Sequence, residues 1–320
     1  MVFKTASRSE SELKDAKATL DNAFKEAVVG SNGKFNARGL KKLDDNRMDI
    51  AELIVQLIQD TVNVTDPLPF LVEQVEGDIK NQYVWQRPNS ALKVTQRSYG
   101  SKPLSQRITF SEFSIKTTMK ELAVEIPLEE VASGRVTPSM VTEQIAFTIN
   151  RYRLASVLDA LDTAITAVAD RSGKAGFNLR YTGLTKANLD NAIDGLYDEG
   201  VVPSIFARYT AFSPTVRNFA GWSNLSTYDH EKRGQIASYL GAPVVQLNDQ
   251  FSFTTQSHAL RNDRVYIASG KPGAKFMTKD VSFLNWAMVD QRTATFGTGV
   301  RIEDGLLVWD PYQYRIIEVS

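Results

Sequence analysis

The two histidines, His230 and His258, are the residues of this sequence best suited to metal chemistry. His230-Glu231 matches the start of the zinc-protease helix motif, in which a second histidine four positions after the first completes the metal site. Gly234 stands at that position instead. Because both histidines lie among polar, loop-like residues, we interpret them as solvated side chains and predict no metal site.

Other patterns that could carry chemistry are also incomplete. The glycine-rich segment 270–275 lacks the spacing of a phosphate-binding loop, and Pro272 removes a backbone N–H that would contact a phosphate. The neighbouring acids Glu129 and Glu130 diverge on a helix, so they do not form an acid/base pair. The chain has no cysteine and no Gly-x-Ser-x-Gly nucleophile motif. We therefore predict that it is not an enzyme and binds no cofactor.

Composition sets the size of the core and limits the partners. The chain has 320 residues, of which 42% are hydrophobic, enough for two domains or one elongated body. Lys+Arg and Asp+Glu both total 37, and zero net charge argues against a protein whose main task is to bind phosphate backbones. There is no signal-peptide pattern and no apolar run of about 20 residues. We expect a soluble protein without a membrane partner.

Charge is nevertheless segregated along the chain. Residues 79–118 have a net charge of +6, and residues 121–162 have a net charge of −4. We predict that side chains from these two segments meet between subunits. The basic ones are Lys80, Arg87, Lys93, Arg97, Lys102 and Arg107, and the acidic ones are Glu121, Glu125, Glu129, Glu130 and Glu143.

The basic segment has the alternating pattern of a long β-hairpin, with a slip at Glu112 that predicts a β-bulge. A long hairpin with few core residues must rest on another surface. That surface is either nucleic acid, with Trp85 and Tyr99 as stacking platforms, or the acidic segment of a second copy. Because the compensating charge is in the same chain, we favour the second copy.

The element that must position these residues is a long helix over 137–170. Thr137 is its predicted N-cap, and Pro138 fits the first turn. Two apolar stripes point in nearly opposite directions at 100° per residue. The first stripe runs the whole length of the helix and consists of Met140, Phe147, Leu154, Leu158, Leu161, Ile165 and Val168. The second stripe is confined to the first half and consists of Val141, Ile145, Ile149 and Tyr152. We favour a strut lying across a sheet; the alternative is a coiled coil, although Arg151 interrupts its seam.

The remaining segments alternate between helix and strand. We predict helices over 9–29 and 39–62, and strands over 70–126. Residues 234–245 predict a short helix that ends at Gly241, followed by a strand. From Val281 to the C-terminus, period-2 alternation predicts sheet.

This order of elements resembles the Hong Kong 97-like major capsid proteins of tailed double-stranded DNA phages. The most specific stretch is 233–245, which is similar to the point in that family's axial domain where a short helix turns through Leu-Gly-x-Pro-Val into a central strand. The stretch from Phe113 to Pro127, followed by Leu128-Glu129-Glu130, is similar to the family's return from its extended loop. The resemblance implies an α+β fold with five segments: a helical arm (1–69), an extended β-hairpin loop with flanking strands (70–126), a peripheral domain with a spine helix over 137–170 (127–183), an axial domain (184–289) and strands returning to the peripheral domain (290–320).

The resemblance also implies a function. Copies would assemble into pentamers and hexamers of an icosahedral phage head around packaged double-stranded DNA, which they contact non-specifically. The location would be the virion, after assembly in the host cytoplasm, and further partners would be portal, scaffolding and decoration proteins. Two alternatives are an encapsulin-like nanocompartment shell of the same fold and a nucleic-acid-binding module that uses the basic hairpin 79–118.

Overall fold

The structure is a computed structural model. It describes residues 10–29, 36–65, 68–76, 83–88, 110–115, 117–172, 178–197, 202–216, 238–247, 263–270, 273–278, 282–290 and 294–319.

The described residues form helices in three places: an N-terminal arm, the middle of the chain and the flank of a sheet. They are α1 (Glu10–Val28), α2 (Ala37–Asp45), α3 (Arg47–Thr65), α4 (Leu128–Ala132), α5 (Pro138–Ser172), α6 (Lys186–Tyr197) and α7 (Tyr209–Val216). The predicted helices over 9–29 and 137–170 are therefore confirmed. None of these helices combines the length and the apolarity needed to cross a membrane.

The predicted helix over 39–62 is wrong in one respect, because the structure divides it into α2 and α3 at Asn46. The Asn46 side chain donates from Nδ2 to the carbonyl oxygen of Lys42 at 2.9 Å. The Asn46 backbone N–H lies 3.3 Å from the same carbonyl oxygen, so the side chain and the backbone share one acceptor and the helical pattern is weakened at this residue. The apolar periodicity continues across this interruption, and for that reason periodicity alone did not reveal it.

The strands form two large sheets and a separate hairpin. They are β1 (Glu73–Glu76), β2 (Tyr83–Pro88), β3 (Phe110–Ile115), β4 (Thr118–Pro127), β5 (Arg180–Thr182), β6 (Ser204–Ala207), β7 (Ser238–Tyr239), β8 (Ala242–Gln246), β9 (Arg264–Ala268), β10 (Ala274–Thr278), β11 (Ser282–Asp290), β12 (Thr295–Val308) and β13 (Tyr314–Glu318).

The first sheet is built around β12, the longest described strand. One edge of β12 pairs with β4, and the other edge pairs with β11 and then with β10, which in turn pairs with β1. The second sheet has the order β5-β13-β9-β6-β8-β7. The last two strands of the chain therefore lie in different sheets, so the segment 290–320 is shared between them. The five-segment domain division stays a prediction.

The hairpin β2–β3 is a two-stranded sheet. Its strands pair without interruption from Tyr83 opposite Ile115 to Pro88 opposite Phe110, with Glu112 opposite Gln86. The predicted bulge at Glu112 is therefore wrong. A two-stranded ribbon need not keep one face buried, so a slip in its apolar pattern does not determine its register.

The predicted short helix ending at Gly241 is also wrong where the structure describes it. Ser238 and Tyr239 form β7, which pairs with β8 across the two-residue turn Leu240-Gly241; residues 234–237 lie outside the described residues. Gly241 does have the positive φ of +81° that the prediction relied on. The same backbone conformation ends helices and closes hairpins, so the glycine alone did not distinguish them. The strand after it is confirmed, although it lies next to the edge strand β7.

Three cores hold these elements together. The arm core joins α1, α3, α4 and the first half of α5 to one face of β4, β11 and β12. The inner core joins the second half of α5 to β10 and to one face of the second sheet. The outer core packs α6 and α7 on the opposite face of the second sheet, where Ile205, Val265 and Ile317 alternate with the inner-core residues of the same strands.

Helix α5 takes part in the arm core and the inner core through opposite faces. Ile145, Ala146 and Ile149 are buried in the arm core, whereas Leu158 and Ile165 are buried in the inner core. Nine residues separate Ile149 from Leu158, which at 100° per residue is a half-turn of orientation. Met140, at the start of the longer predicted stripe, is accordingly 54% exposed. One continuous coiled-coil seam within the chain is therefore excluded, and the prediction of a strut packed on sheet is confirmed.

Polar contacts fix both ends of α5. At its N-terminus the carboxylate of Asp21, from α1, accepts from the Ser139 backbone N–H at 2.9 Å and from its hydroxyl at 2.6 Å. The Thr137 hydroxyl accepts from the Met140 N–H at 3.3 Å, as predicted for the N-cap. Negative charge at a helix N-terminus also interacts favourably with the free N–H groups there.

The second half of α5 is held to the second sheet by charged side chains. The buried Arg264 of β9 pairs with Asp162 of α5 and lies 3.6 Å from Glu318 of β13. Arg180 of β5 donates to the Thr166 hydroxyl of α5 at 2.9 Å and pairs with the same Glu318. These contacts tie three strands to one helix face.

We expect Asp21→Ala to lower the free energy of unfolding by about 1–2 kcal/mol, because two donors at the start of α5 lose their acceptor. Urea denaturation followed by circular dichroism measures this change. Asn22→Ala, at the exposed neighbouring position, is the control and should leave the midpoint unchanged. Equal midpoints for the two variants would show that Asp21 does not cap α5.

The buried Tyr314 predicts loss of stability at alkaline pH. Its hydroxyl donates to the Leu71 carbonyl at 2.9 Å, and burial raises its pKa well above the ordinary value. Above about pH 10 the unfolded state releases this proton while the folded state keeps it, so the free energy of unfolding falls as pH rises. We expect Tyr314→Phe to be about 1 kcal/mol less stable at pH 7 but to lose less stability between pH 9 and 11.

Denaturant titrations at several pH values measure both effects. Tyr312→Phe, at a position that is 42% exposed, is the control and should keep the wild-type slope. An unchanged alkaline slope in Tyr314→Phe would contradict the assignment to Tyr314.

Candidate assembly interface

The strands β4 and β12 have one buried face and one exposed face. Leu122, Val124 and Ile126 of β4 point into the arm core. The alternate residues Glu121, Ala123 and Glu125 are exposed. Successive side chains of a strand point to opposite faces, so two of the acids predicted at the subunit contact lie on the outward face of the first sheet. We call this the acidic face.

The centre of the acidic face is flat. Pairing places Glu125 opposite Gly297 and Ala123 opposite Gly299, so the central strand β12 adds no side chain at these two positions. Glycine inside a strand often marks a site where another backbone approaches closely. Next to it on β11, Met288 pairs with Gly297 and is 41% exposed.

Glu121 already has a partner in its own chain. Arg301, directly opposite on β12, places Nη2 3.2 Å from Glu121 Oε1, and both side chains are well exposed. Glu125 is exposed, and no ion pair to it occurs within the part of the chain that the structure describes. The net charge of the acidic face, counted over Glu121, Glu125 and Arg301, is thus negative.

The structure places the other three predicted acids separately. Glu129 and Glu130 are exposed on α4, the short helix that directly follows β4 and packs into the arm core through Leu128 and Val131. Glu143 belongs to α5 and receives a hydrogen bond of 2.7 Å from Lys17 of α1. Because α1 and α5 cover the opposite face of the sheet, Glu143 lies away from Glu121 and Glu125.

Most of the predicted basic partners lie outside the described residues: Lys80, Lys93, Arg97, Lys102 and Arg107. Arg87 is described by its backbone only, in β2 opposite Ser111. The contact between the basic hairpin and the acidic face therefore stays a prediction. His230 and His258, interpreted above as solvated, also lie outside the described residues.

The buried face of the same two strands contains an ion pair of a different kind. Asp304 of β12 is buried, and its Oδ1 accepts from the ammonium group of Lys120 on β4. That ammonium group lies 4.4 Å from the centre of the Tyr152 ring on α5. Burial by itself lowers the pKa of Lys120, but the hydrogen bonds and charges of Asp304 and Tyr152 outweigh it and raise the pKa above the ordinary value. The ion pair joins two strands of the sheet, and the contact of Lys120 with Tyr152 links that sheet to α5.

The described residues do not contain a metal site. No three His, Cys, Asp or Glu side chains among them are placed to bind one ion. Within the described ranges, the charged side chains named here form an exposed acidic surface and internal ion pairs.

Sequence reasoning missed the residues that surround the acids. Met119, which is 57% exposed, and Met288 lie on the acidic face and give it an apolar component. Nothing in the local sequence links Met288 to Glu125, because their neighbourhood depends on the pairing of β4, β12 and β11. The spacing of Gly297 and Gly299, two residues apart in a predicted strand, was the available signal for a flat face.

The fold is α+β and of the Hong Kong 97-like kind found in the major capsid structures of tailed phages, as the sequence resemblance implied. The mature capsid of bacteriophage PhiM1 matches with a TM-score of 0.52 and 11% identity, over 80% of this chain and 87% of that chain. The capsid structure of cyanophage P-SCSP1u matches with a TM-score of 0.52 and 12% identity, over 78% of this chain and 86% of that chain. A structure from Mycobacterium phage Che8 has a TM-score of 0.52 and 14% identity, with coverages of 75% and 85%.

No protein-family model and no curated protein matches this sequence. The likeness to the phage structures, at identities this low, defines the fold.

The two faces of the first sheet predict different responses to removal of a charge. Glu121→Gln breaks an exposed pair and should change the free energy of unfolding by less than about 1 kcal/mol. Asp304→Asn leaves the Lys120 ammonium group partly buried without a counter-charge, and we expect a loss of roughly 1–3 kcal/mol. Denaturation of both variants at pH 7 makes the comparison. A larger loss for Glu121→Gln would mean that the exposed and buried faces are assigned the wrong way round.

Proposed function

We propose that this chain is the major capsid protein of a tailed phage. Copies assemble into pentamers and hexamers, which close into an icosahedral shell around packaged double-stranded DNA. The observation that carries the proposal is the likeness of the fold to phage capsid structures, which extends over about four-fifths of the chain.

The distribution of charge supports self-association. The positively charged segment 79–118 and the negatively charged segment 121–162 belong to one chain, so each copy supplies both halves of a repeated contact. We infer that the basic hairpin of one copy lies on the acidic face of the next, against Glu121, Glu125, Glu129 and Glu130. An extended hairpin fits a flat face with glycines at its centre, because backbone can approach backbone there.

Zero net charge suits a container for DNA, since a strongly basic inner wall would hold the phosphates tightly. The proposed location is the virion, with assembly in the host cytoplasm. Portal, scaffolding and decoration proteins are the further partners that this function implies. We propose no enzymatic activity for the chain.

Electron microscopy of the purified protein tests this function. Closed shells that contain DNA support a phage head, whereas shells that contain a protein cargo would instead make the chain an encapsulin-like compartment. A monomer that binds DNA with strong salt dependence would replace both with a nucleic-acid-binding module. The three outcomes are distinct in the micrographs and in the ultraviolet absorbance ratio of the purified material.

The docking of the hairpin is tested by charge reversal. We expect Arg87→Glu with Arg107→Glu to block shell assembly while the subunit stays folded, because like charges then face each other across the contact. Light scattering follows assembly, and circular dichroism follows folding. Lys14→Glu with Lys41→Glu, which reverses two exposed cations of the arm, is the control and should assemble normally.

Charge reversal on the acidic face provides a second test of the same contact. Glu125→Lys with Glu129→Lys should also block assembly, and mixing this protein with the Arg87/Arg107 variant should restore contacts between unlike copies. Normal shells from the Arg87/Arg107 variant would refute the docking model. A failure to rescue would refute the assignment of the acidic face as its counter-surface.

A further inference from the structure

The turn between β7 and β8 has an unusual residue at its first position. Leu240 has a φ of +48° and Gly241 a φ of +81°, the sign pattern of a type I′ hairpin turn. Such turns strongly prefer Asn-Gly or Asp-Gly, because both central residues must adopt the left-handed conformation. Leucine rarely does so, and a large apolar residue there is a conformational outlier.

Contacts from α6 hold this turn in place. The Tyr197 hydroxyl donates to the Leu240 carbonyl oxygen at 3.1 Å, and the Tyr239 hydroxyl donates to Asp190 Oδ1 at 2.7 Å. A Cβ atom at Gly241 would lie 3.2 Å from the Tyr197 oxygen, so glycine suits this close approach. Strained conformations persist where the surroundings determine them in this way.

The contacts of this turn within the subunit do not require a leucine side chain at position 240. Its hydrogen bond to Tyr197 uses the backbone, which an asparagine or a glycine would supply equally. The side chain is 53% exposed, so folding buries only part of it. A residue that costs backbone strain and leaves much of its apolar surface in water is best explained by a contact outside the chain.

Neighbouring residues extend the apolar surface. Ile205 pairs with Val244 in parallel, so the residues three positions before them, Val202 and Gly241, come to the same end of the second sheet. Val202 is 55% exposed, and Gly241 and Pro243 are exposed as well. We call Val202, Leu240, Gly241 and Pro243 the turn patch.

We propose that the turn patch is a contact between copies of this chain, with Leu240 as its apolar anchor. This inference rests on the proposed function, in which other copies are the most abundant partner surface. The four residues carry no charge, so they do not match nucleic acid, which is bound mainly through cations. A rigid turn that presents one large apolar side chain has the character of an interface hot spot, since little freedom is lost on binding.

The turn patch is separate from the acidic face. It lies on the second sheet at the β6–β8 end, whereas the acidic face belongs to the first sheet. The two surfaces would therefore join a copy to its neighbours at two places, one through charge and one through apolar contact.

Leu240→Asn tests the proposal because it separates folding from assembly. Asparagine is favoured at this turn position, so the subunit should be as stable as the wild type or more stable. We expect the protein concentration at which shells form to rise about tenfold, as the loss of an apolar anchor of this size predicts. Met48→Gln, at a position that is 38% exposed on α3, is the control and should assemble like the wild type.

The wild type, assayed in parallel, distinguishes failure of the proposed capsid function from failure of the turn-patch contact. If the wild type forms no shells, the proposed function fails. If the wild type forms shells and Leu240→Asn forms them at the same concentration, the turn-patch contact alone is overturned.

A labelling experiment covers the case in which Leu240→Asn does not fold. The chain has no cysteine, so Leu240→Cys introduces a single thiol whose reaction with maleimide can be followed. Relative to Met48→Cys, which measures access of the reagent, we expect labelling in assembled shells to be about tenfold slower than in free subunits. If the labelling rate of Leu240→Cys relative to Met48→Cys is the same in shells and in free subunits, the proposed contact is overturned.

Discussion

The architecture depends on one helix that must bury opposite faces along its length. In its first half α5 presents Ile145 and Ile149 to the arm core, and in its second half it presents Leu158 and Ile165 to the inner core. A helix of 35 residues is roughly 50 Å long, so two separate cores fit along it. The two halves of α5 cannot rotate independently. The packing of the arm core therefore constrains the inner core, and the inner core constrains the arm core.

Apolar packing is not directional, so polar contacts fix the position of α5 on the two sheets. Asp21 caps its start, Lys120 of the first sheet contacts Tyr152 near its middle, and Arg264 and Arg180 hold its second half to the second sheet. These partners come from distant parts of the chain. The Lys120, Arg264 and Arg180 side chains are buried or partly buried, and each is paired with an acid of the same chain.

The two surfaces that we assign to assembly arise from this arrangement in different ways. The acidic face is the side of β4 and β12 that the helices do not cover, so its acids are exposed because Leu122, Val124 and Ile126 occupy the alternate positions. The turn patch lies at the end of the second sheet next to the last residue of α6, Tyr197, which donates to the Leu240 carbonyl and leaves the Leu240 side chain largely exposed. The acidic face lies on strands, whereas the turn patch lies mainly on the turn between β7 and β8 and on the residues before β6.

The sequence by itself determined the elements whose signals are local. The long helix, its cap at Thr137 and its two opposite stripes follow from residue spacing, as do the alternation of β4 and the segregation of charge, because side-chain periodicity is a property of one element. Local signals failed at Asn46 and at Leu240-Gly241, where the same residues suit more than one backbone path. Only the tertiary structure decided which acids share a surface: pairing of β4 with β12 places Glu121 and Glu125 on one face beside Gly297, and packing of α1 on α5 removes Glu143 to the other side. These neighbourhoods join residues more than a hundred positions apart, and no local propensity encodes a contact over such a distance.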